Sequence, residues 1–133
     1  MKLKVVSIFA FSILLLVGCG GASAENEGDQ TDPKWVVNQV FEAANSNDYS
    51  LLSSLCDPSG EGDRDTKRIC AVGDESDKSK EEFNTYFKLG KVIGEPTISG
   101  DEAKVVIKFG PTGTKDETMN LVNRDGKWYL SSF

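Results

Sequence analysis

The sequence predicts an α+β domain in which N-terminal helices pack on an antiparallel sheet, and three observations predict it. Apolar residues recur at helical spacing after Asp32-Pro33, and beyond Gly90 the period shifts to two. Gly100-Asp101 and Asp125-Gly126 then supply turns between the alternating runs. Helices first and a meander afterwards leave the apolar face of the sheet to close over the helical layer.

The first helix starts at Asp32-Pro33, an N-cap followed by a proline whose fixed φ suits the first helical position. Val36, Val37, Val40, Phe41 and Ala44 keep helical spacing to about Ser46. Asn47-Asp48 breaks the helix, and Tyr49, Leu51, Leu52 and Leu55 predict a short second one. Residues 56–77 are rich in Asp, Gly, Ser and Glu, so an exposed loop is expected, with one helical turn near Thr66 to Cys70. Ser79 with Glu82 fits a capping box for a third helix from Lys78 to Lys88, with Phe83, Tyr86 and Phe87 on one face and Gly90 as the stop. Val92 and Ile98 then flank Gly94 and Pro96, while Ala103, Val105, Ile107 and Phe109 alternate with Lys104 and Lys108. Met119 to Asn123 and Trp128 to Phe133 face each other across Asp125-Gly126, which completes a meander of four strands.

Ahead of this domain, Lys2 and Lys4 precede an apolar run from Val5 to Val17 broken only by Ser7 and Ser12. A positive start followed by a short apolar run is the layout of a secretory leader, and the run is too short for a comfortable membrane span. It ends in Leu16-Val17-Gly18-Cys19, followed by small residues, and this resembles the lipobox of bacterial lipoproteins. The resemblance implies cleavage between Gly18 and Cys19 and a diacylglyceryl thioether on Cys19; the alternative is an ordinary leader cut near Ala22 or Ala24. Two or three acyl chains, at about 0.8 kcal/mol per buried CH₂, would make release from the bilayer negligible. No Asp follows Cys19 directly, unlike inner-membrane retention signals, so an extracytoplasmic outer-membrane or cell-surface position is expected. Gly20 to Asp32 has no aliphatic residue larger than alanine and reads as a flexible tether. The expected organisation is therefore a signal peptide at 1–18, the lipidated cysteine and tether at 19–32, and the folded domain at 33–133.

Composition narrows the function. The chain of 133 residues has room for one domain after the leader is removed. Its net charge of −6 becomes more negative once Lys2 and Lys4 leave, so nucleic acid is not an expected partner and membrane attachment should depend on the covalent anchor. No histidine occurs, which removes Ser-His-Asp and Cys-His catalysis and His-ligated zinc. No cofactor is expected.

Phe41-Glu42-Ala43-Ala44, Asn47-Asp48-Tyr49, the middle helix with Phe83, and Met119-Asn120-Leu121-Val122 turning at Asp125-Gly126 into Lys127-Trp128-Tyr129-Leu130 resemble a known group. It comprises small bacterial lipoproteins of unknown function with the nuclear-transport-factor-two-like, cystatin-like fold. The resemblance spans roughly 33–133 and implies a curved sheet wrapped around helices as a cone, often with an apolar pocket at the open end. That shape hosts enzymes and binders alike, so fold does not settle function.

Cys56 and Cys70 frame the polar loop of an exported domain, and a bond between them would close about 15 residues, contributing roughly 3 kcal/mol. Asp57, Glu61, Asp63 and Asp65 gather oxygen ligands in that loop but do not follow the calcium-loop order, so they read as solvated charge and no metal site is expected. Trp35, Phe41, Tyr86, Trp128, Tyr129 and Phe133 are candidates to line a pocket; the competing reading is that they fill the core. Tyr49, Tyr86, Tyr129 and the many carboxylates supply the residue types for proton-transfer chemistry without a recognisable pairing. The expectation is a non-catalytic envelope lipoprotein that binds a small apolar ligand, a peptide or another envelope protein. The alternatives are a pocket enzyme using carboxylate and tyrosine, and a purely structural envelope partner.

Overall fold

The computed structural model describes residues 28–133. The expected leader at 1–18, the expected Gly18–Cys19 cleavage point and lipid site at Cys19, and the expected tether as far as residue 27 lie outside the described residues. Three helices pack on one face of an antiparallel sheet of five strands, an α+β architecture. No helix among the described residues is long and apolar enough to cross a membrane.

Helix α1 spans Pro33–Ser46; the Asp32 carboxylate accepts from the Lys34 backbone N–H at 2.9 Å, and Asn47 ends it in the left-handed conformation. Its buried stripe is Val36, Val37, Val40, Phe41, Ala43 and Ala44. The expected second helix is only a single 3-10 turn, Leu52–Leu55, because Cys56 leaves it as extended chain and bridges Leu130 at the edge of the sheet.

Helix α2, Arg64–Ala71, contains the helical turn expected near Thr66 to Cys70 and extends it within the otherwise irregular segment. Asp63 caps it by accepting from the Thr66 N–H at 2.8 Å, and Thr66, Ile69 and Cys70 are buried at helical spacing, followed by Val72 in a 3-10 turn, Val72–Asp74. Helix α3 runs over Asp77–Phe87, and its cap is Ser76, accepting from the Ser79 N–H, three residues ahead of the serine expected to cap it. The chain turns at Gly90, where a Cβ would collide with the Phe41 ring and the Phe87 carbonyl oxygen, so the α1–α3 contact requires glycine there.

The strands are β1 Lys91–Val92, β2 Thr97–Ser99, β3 Glu102–Phe109, β4 Lys115–Arg124 and β5 Lys127–Ser132. β1 and β2 both pair with β3, at Lys91↔Lys108 and Thr97↔Lys104, so they form one edge strand interrupted around Gly94 and Pro96. Proline cannot donate to a ladder, and Gly94 takes a positive φ of 70°; together they split what the alternation predicts as one strand. In the β4–β5 turn Asp125 and Gly126 have φ of 54° and 85°, the left-handed pair that a tight hairpin needs.

The helix-facing side of the sheet carries Ala103, Val105, Ile107, Phe109, Met119, Leu121, Trp128 and Leu130, all buried. The ordered domain also begins earlier than Pro33. The Trp128 backbone N–H donates to the Gln30 carbonyl at 2.7 Å, and Gly28 lies against the Trp35 ring, so residues 28–32 dock on the domain and do not belong to a free tether.

Candidate functional site

A groove of about 320 Å³ opens between α2 and α3 and is bounded at one end by Phe109, Lys115 and Phe133. Phe83 and Phe87 from α3, Phe109 from β3 and Phe133 beyond β5 line its floor together with Ile69 and Val72. The rings form one cluster: Phe83–Phe87 centroids are 4.9 Å apart, Phe109–Phe133 5.0 Å, and Phe87 is 5.6 Å from both Phe109 and Phe133. Such spacings are those of mutually attractive aromatic pairs.

Around this floor stand charges of both signs. Asp65 and Arg68 come from α2, Glu75 from the following turn, Glu82 from α3 and Lys115 from the start of β4. The Lys115 ammonium lies 4.9 Å from the Phe109 ring centroid, a cation–π contact. Tyr86, 41% exposed, stands on the α3 rim with its ring 6.5 Å from Phe109.

Of the aromatic residues singled out from the sequence, Tyr86 and Phe133 line this groove and the others do not. Phe41 is buried beneath it, stacked 6.5 Å from Phe87. Trp128 fills the core near the β4–β5 turn, at the other end of the sheet. Trp35 packs partly buried against the core, and Tyr129 alternates with the inward-facing Trp128 and Leu130, which sends it to the opposite face. Sequence reasoning placed Phe83 and Phe87 on the helical face and Phe109 in the strand, but it had no means to bring them to one end. The legible signal is that Phe87 and Phe109 are the last residues of their elements and Phe83 lies one helical turn before Phe87.

The acidic loop is not solvated charge throughout. The Asp57 side chain is 3% exposed and accepts two hydrogen bonds from Arg124, from Nη2 at 2.8 Å and Nε at 3.2 Å, and a third from the Ser59 N–H at 2.9 Å. Glu61 adds an outer contact to Arg124 at 3.2 Å. The Arg124 hydrogen bond outweighs the cost of burial and holds the Asp57 carboxyl at about 2. Burial raises the Asp63 carboxyl, but the N–H groups of Phe133 and Thr66 donate to it and bring it below the usual range. Asp63 thereby ties the α2 wall to the Phe133 floor, since it caps the one and accepts from the other at 3.0 Å. Asp57 and Glu61 share Arg124 while Asp63 turns to backbone N–H groups, and no group of three side chains that could hold a metal ion occurs among the described residues.

The depressed Asp57 value has a definite sign. Its contribution to stability is complete above the unfolded value near 3.8 and is lost as pH falls towards 2. Arg124→Met should lower the urea midpoint at neutral pH, and its gap to wild type should narrow between about pH 5 and about pH 2. Urea titrations across that range check this; a gap independent of pH would show that Arg124 acts only through packing.

Cys56 and Cys70 are joined as a disulfide with Cα atoms 6.0 Å apart, which pins α2 to the chain running beside β5. The Tyr49 hydroxyl donates to Asn84 at 3.0 Å and its ring meets Phe83 edge-on, so this tyrosine braces α3 from outside the groove.

No family model matches the chain, and no curated protein matches it. Two solved structures are similar to it. One is a Campylobacter jejuni protein given the provisional name NTF2-like transpeptidase, at 20% identity, covering 76% of this chain and 97% of that one with a TM-score of 0.48. The other is a SEC-C motif containing protein from Rhodopseudomonas palustris, at 18% identity, covering 78% of each chain with a TM-score of 0.46.

Proposed function

We propose that this chain is an extracytoplasmic, lipid-anchored lipoprotein of the nuclear-transport-factor-two-like group, whose domain binds a small apolar ligand in the α2–α3 groove without catalysing a reaction. The single observation that carries the binding reading is the groove itself: a floor of phenylalanines, open to solvent, within a charged rim. Its volume of about 320 Å³ falls at the lower end of small-molecule sites, which span roughly 300–1,000 Å³. An apolar body laid on this floor gains about 25 cal/mol per Å² removed from water, and the rim charges orient any polar end. The anchor reading rests on Leu16-Val17-Gly18-Cys19 after a leader-like run.

Titration with the uncharged fluorophore N-phenyl-1-naphthylamine tests the site. Saturable enhancement at about one probe per chain is expected, and Ser79→Trp should weaken it by about tenfold, a loss of roughly 1.4 kcal/mol. Ser79 lines the groove from the first turn of α3, and its backbone N–H, the group that Ser76 caps, survives the substitution. Non-saturable enhancement, or equal binding by the variant, would remove the groove as the ligand site.

A further inference from the structure

The groove and the point where the chain enters the domain lie at opposite ends of the sheet. Gln30 bonds the backbone of Trp128, two residues past the β4–β5 turn, and its side chain donates to the Ser54 carbonyl at 3.4 Å. The groove is closed by Phe109, Lys115 and Phe133, at the other ends of β3, β4 and β5. At about 3.4 Å per residue, Trp128 and Phe133 are about 17 Å apart along β5, and Asn123 and Lys115 about 27 Å apart along β4.

The covalent connection between Cys19 and Gly28 is short. At about 3.3–3.6 Å per residue it spans at most roughly 30 Å. Bringing the groove down to the bilayer requires Gly28 to rise by about the length of β4. That consumes nearly the whole reach of the connection. The acidic surface adds no attraction to an anionic leaflet that would offset this.

We infer that the groove faces the aqueous phase, on the side of the domain remote from the anchoring bilayer, and that its occupant is a water-borne molecule and not a lipid of that membrane. This rests on the anchor and groove readings above. The rim agrees with such an occupant: Arg68 and Lys115 form no ion pair among the described residues, and neither do Asp65, Glu75 and Glu82, so charges of both signs stay free for the polar end of a small apolar molecule arriving from water.

Depth-dependent quenching in membranes tests the orientation. The full lipidated chain is reconstituted into phosphatidylcholine vesicles containing a lipid with a nitroxide headgroup, with a bimane label on an introduced cysteine. Thr112→Cys marks the groove end and Lys127→Cys the anchor end; both positions are exposed and outside the groove lining. The Lys127 label should be quenched several-fold more than the Thr112 label. Equal or reversed quenching would overturn the orientation while leaving the anchor intact. A chain that fails to float with the vesicles, or floats equally well as Cys19→Ala, would overturn it by removing the anchor.

Discussion

Phe87→Ala is expected to destabilise the domain by about 3–5 kcal/mol and to abolish probe binding in the groove. Phe87 is 6% exposed and lies at the centre of the aromatic cluster, within 6.5 Å, centroid to centroid, of Phe41, Phe83, Phe109 and Phe133. Those four rings come from α1, α3, β3 and the end of the chain, so its removal opens a cavity where three layers of contact meet. The neighbours are fixed by helices and strands and collapse only partly, which places the cost in the range for a buried phenylalanine. Urea unfolding followed by circular dichroism measures it. A loss below about 1 kcal/mol would mean that the groove end is loosely packed and that its floor is not preformed.

The second large effect concerns the disulfide. Replacing Cys56 and Cys70 together by alanine is expected to cost about 3 kcal/mol, because the unfolded chain regains the freedom of a loop of about 15 residues. The loss should extend to the groove. Cys70 sits in the last turn of α2, one wall of the site, and the bond fastens that short helix to the sheet edge through Cys56 and Leu130. α2 is only 8 residues long, and helices below about 12–15 residues are marginal without such support. Denaturation with and without reductant should show the same difference in the wild type and none in the double variant. A reductant-insensitive wild type would mean that packing of Thr66, Ile69 and Val72 alone holds the wall.

Much of the fold was legible because local chemistry determined it. Asp32-Pro33 begins α1 through a cap and a fixed φ that depend on neighbouring residues only, and Asn47 ends it for an equally local reason. The alternation from Glu102 to Phe109 matches the buried and exposed sides of β3 at every position except Val106, an apolar residue on the exposed face, because a half-buried strand repeats with period two. α2 was legible only as a single turn. Its apolar stripe is a threonine, an isoleucine and a cysteine, and those become a buried face only when the disulfide and the Asp63 contacts draw them against β5. The same holds for Asp57, which reads as one more loop carboxylate until Arg124, 67 residues away, closes on it.

Local sequence was enough for α1, α3, the long strands β3 to β5, the turn at Asp125-Gly126 and which face of the sheet is apolar. Tertiary structure alone decided the site. Candidate aromatic residues are equivalent in the sequence, but the hairpin sends Trp128 to one end of the sheet and Phe133 to the other, so one completes the core and the other lines the groove. Periodicity reports which side of an element a residue faces; its height along the sheet depends on pairing register and helix docking, and these are set by contacts between residues far apart in the chain.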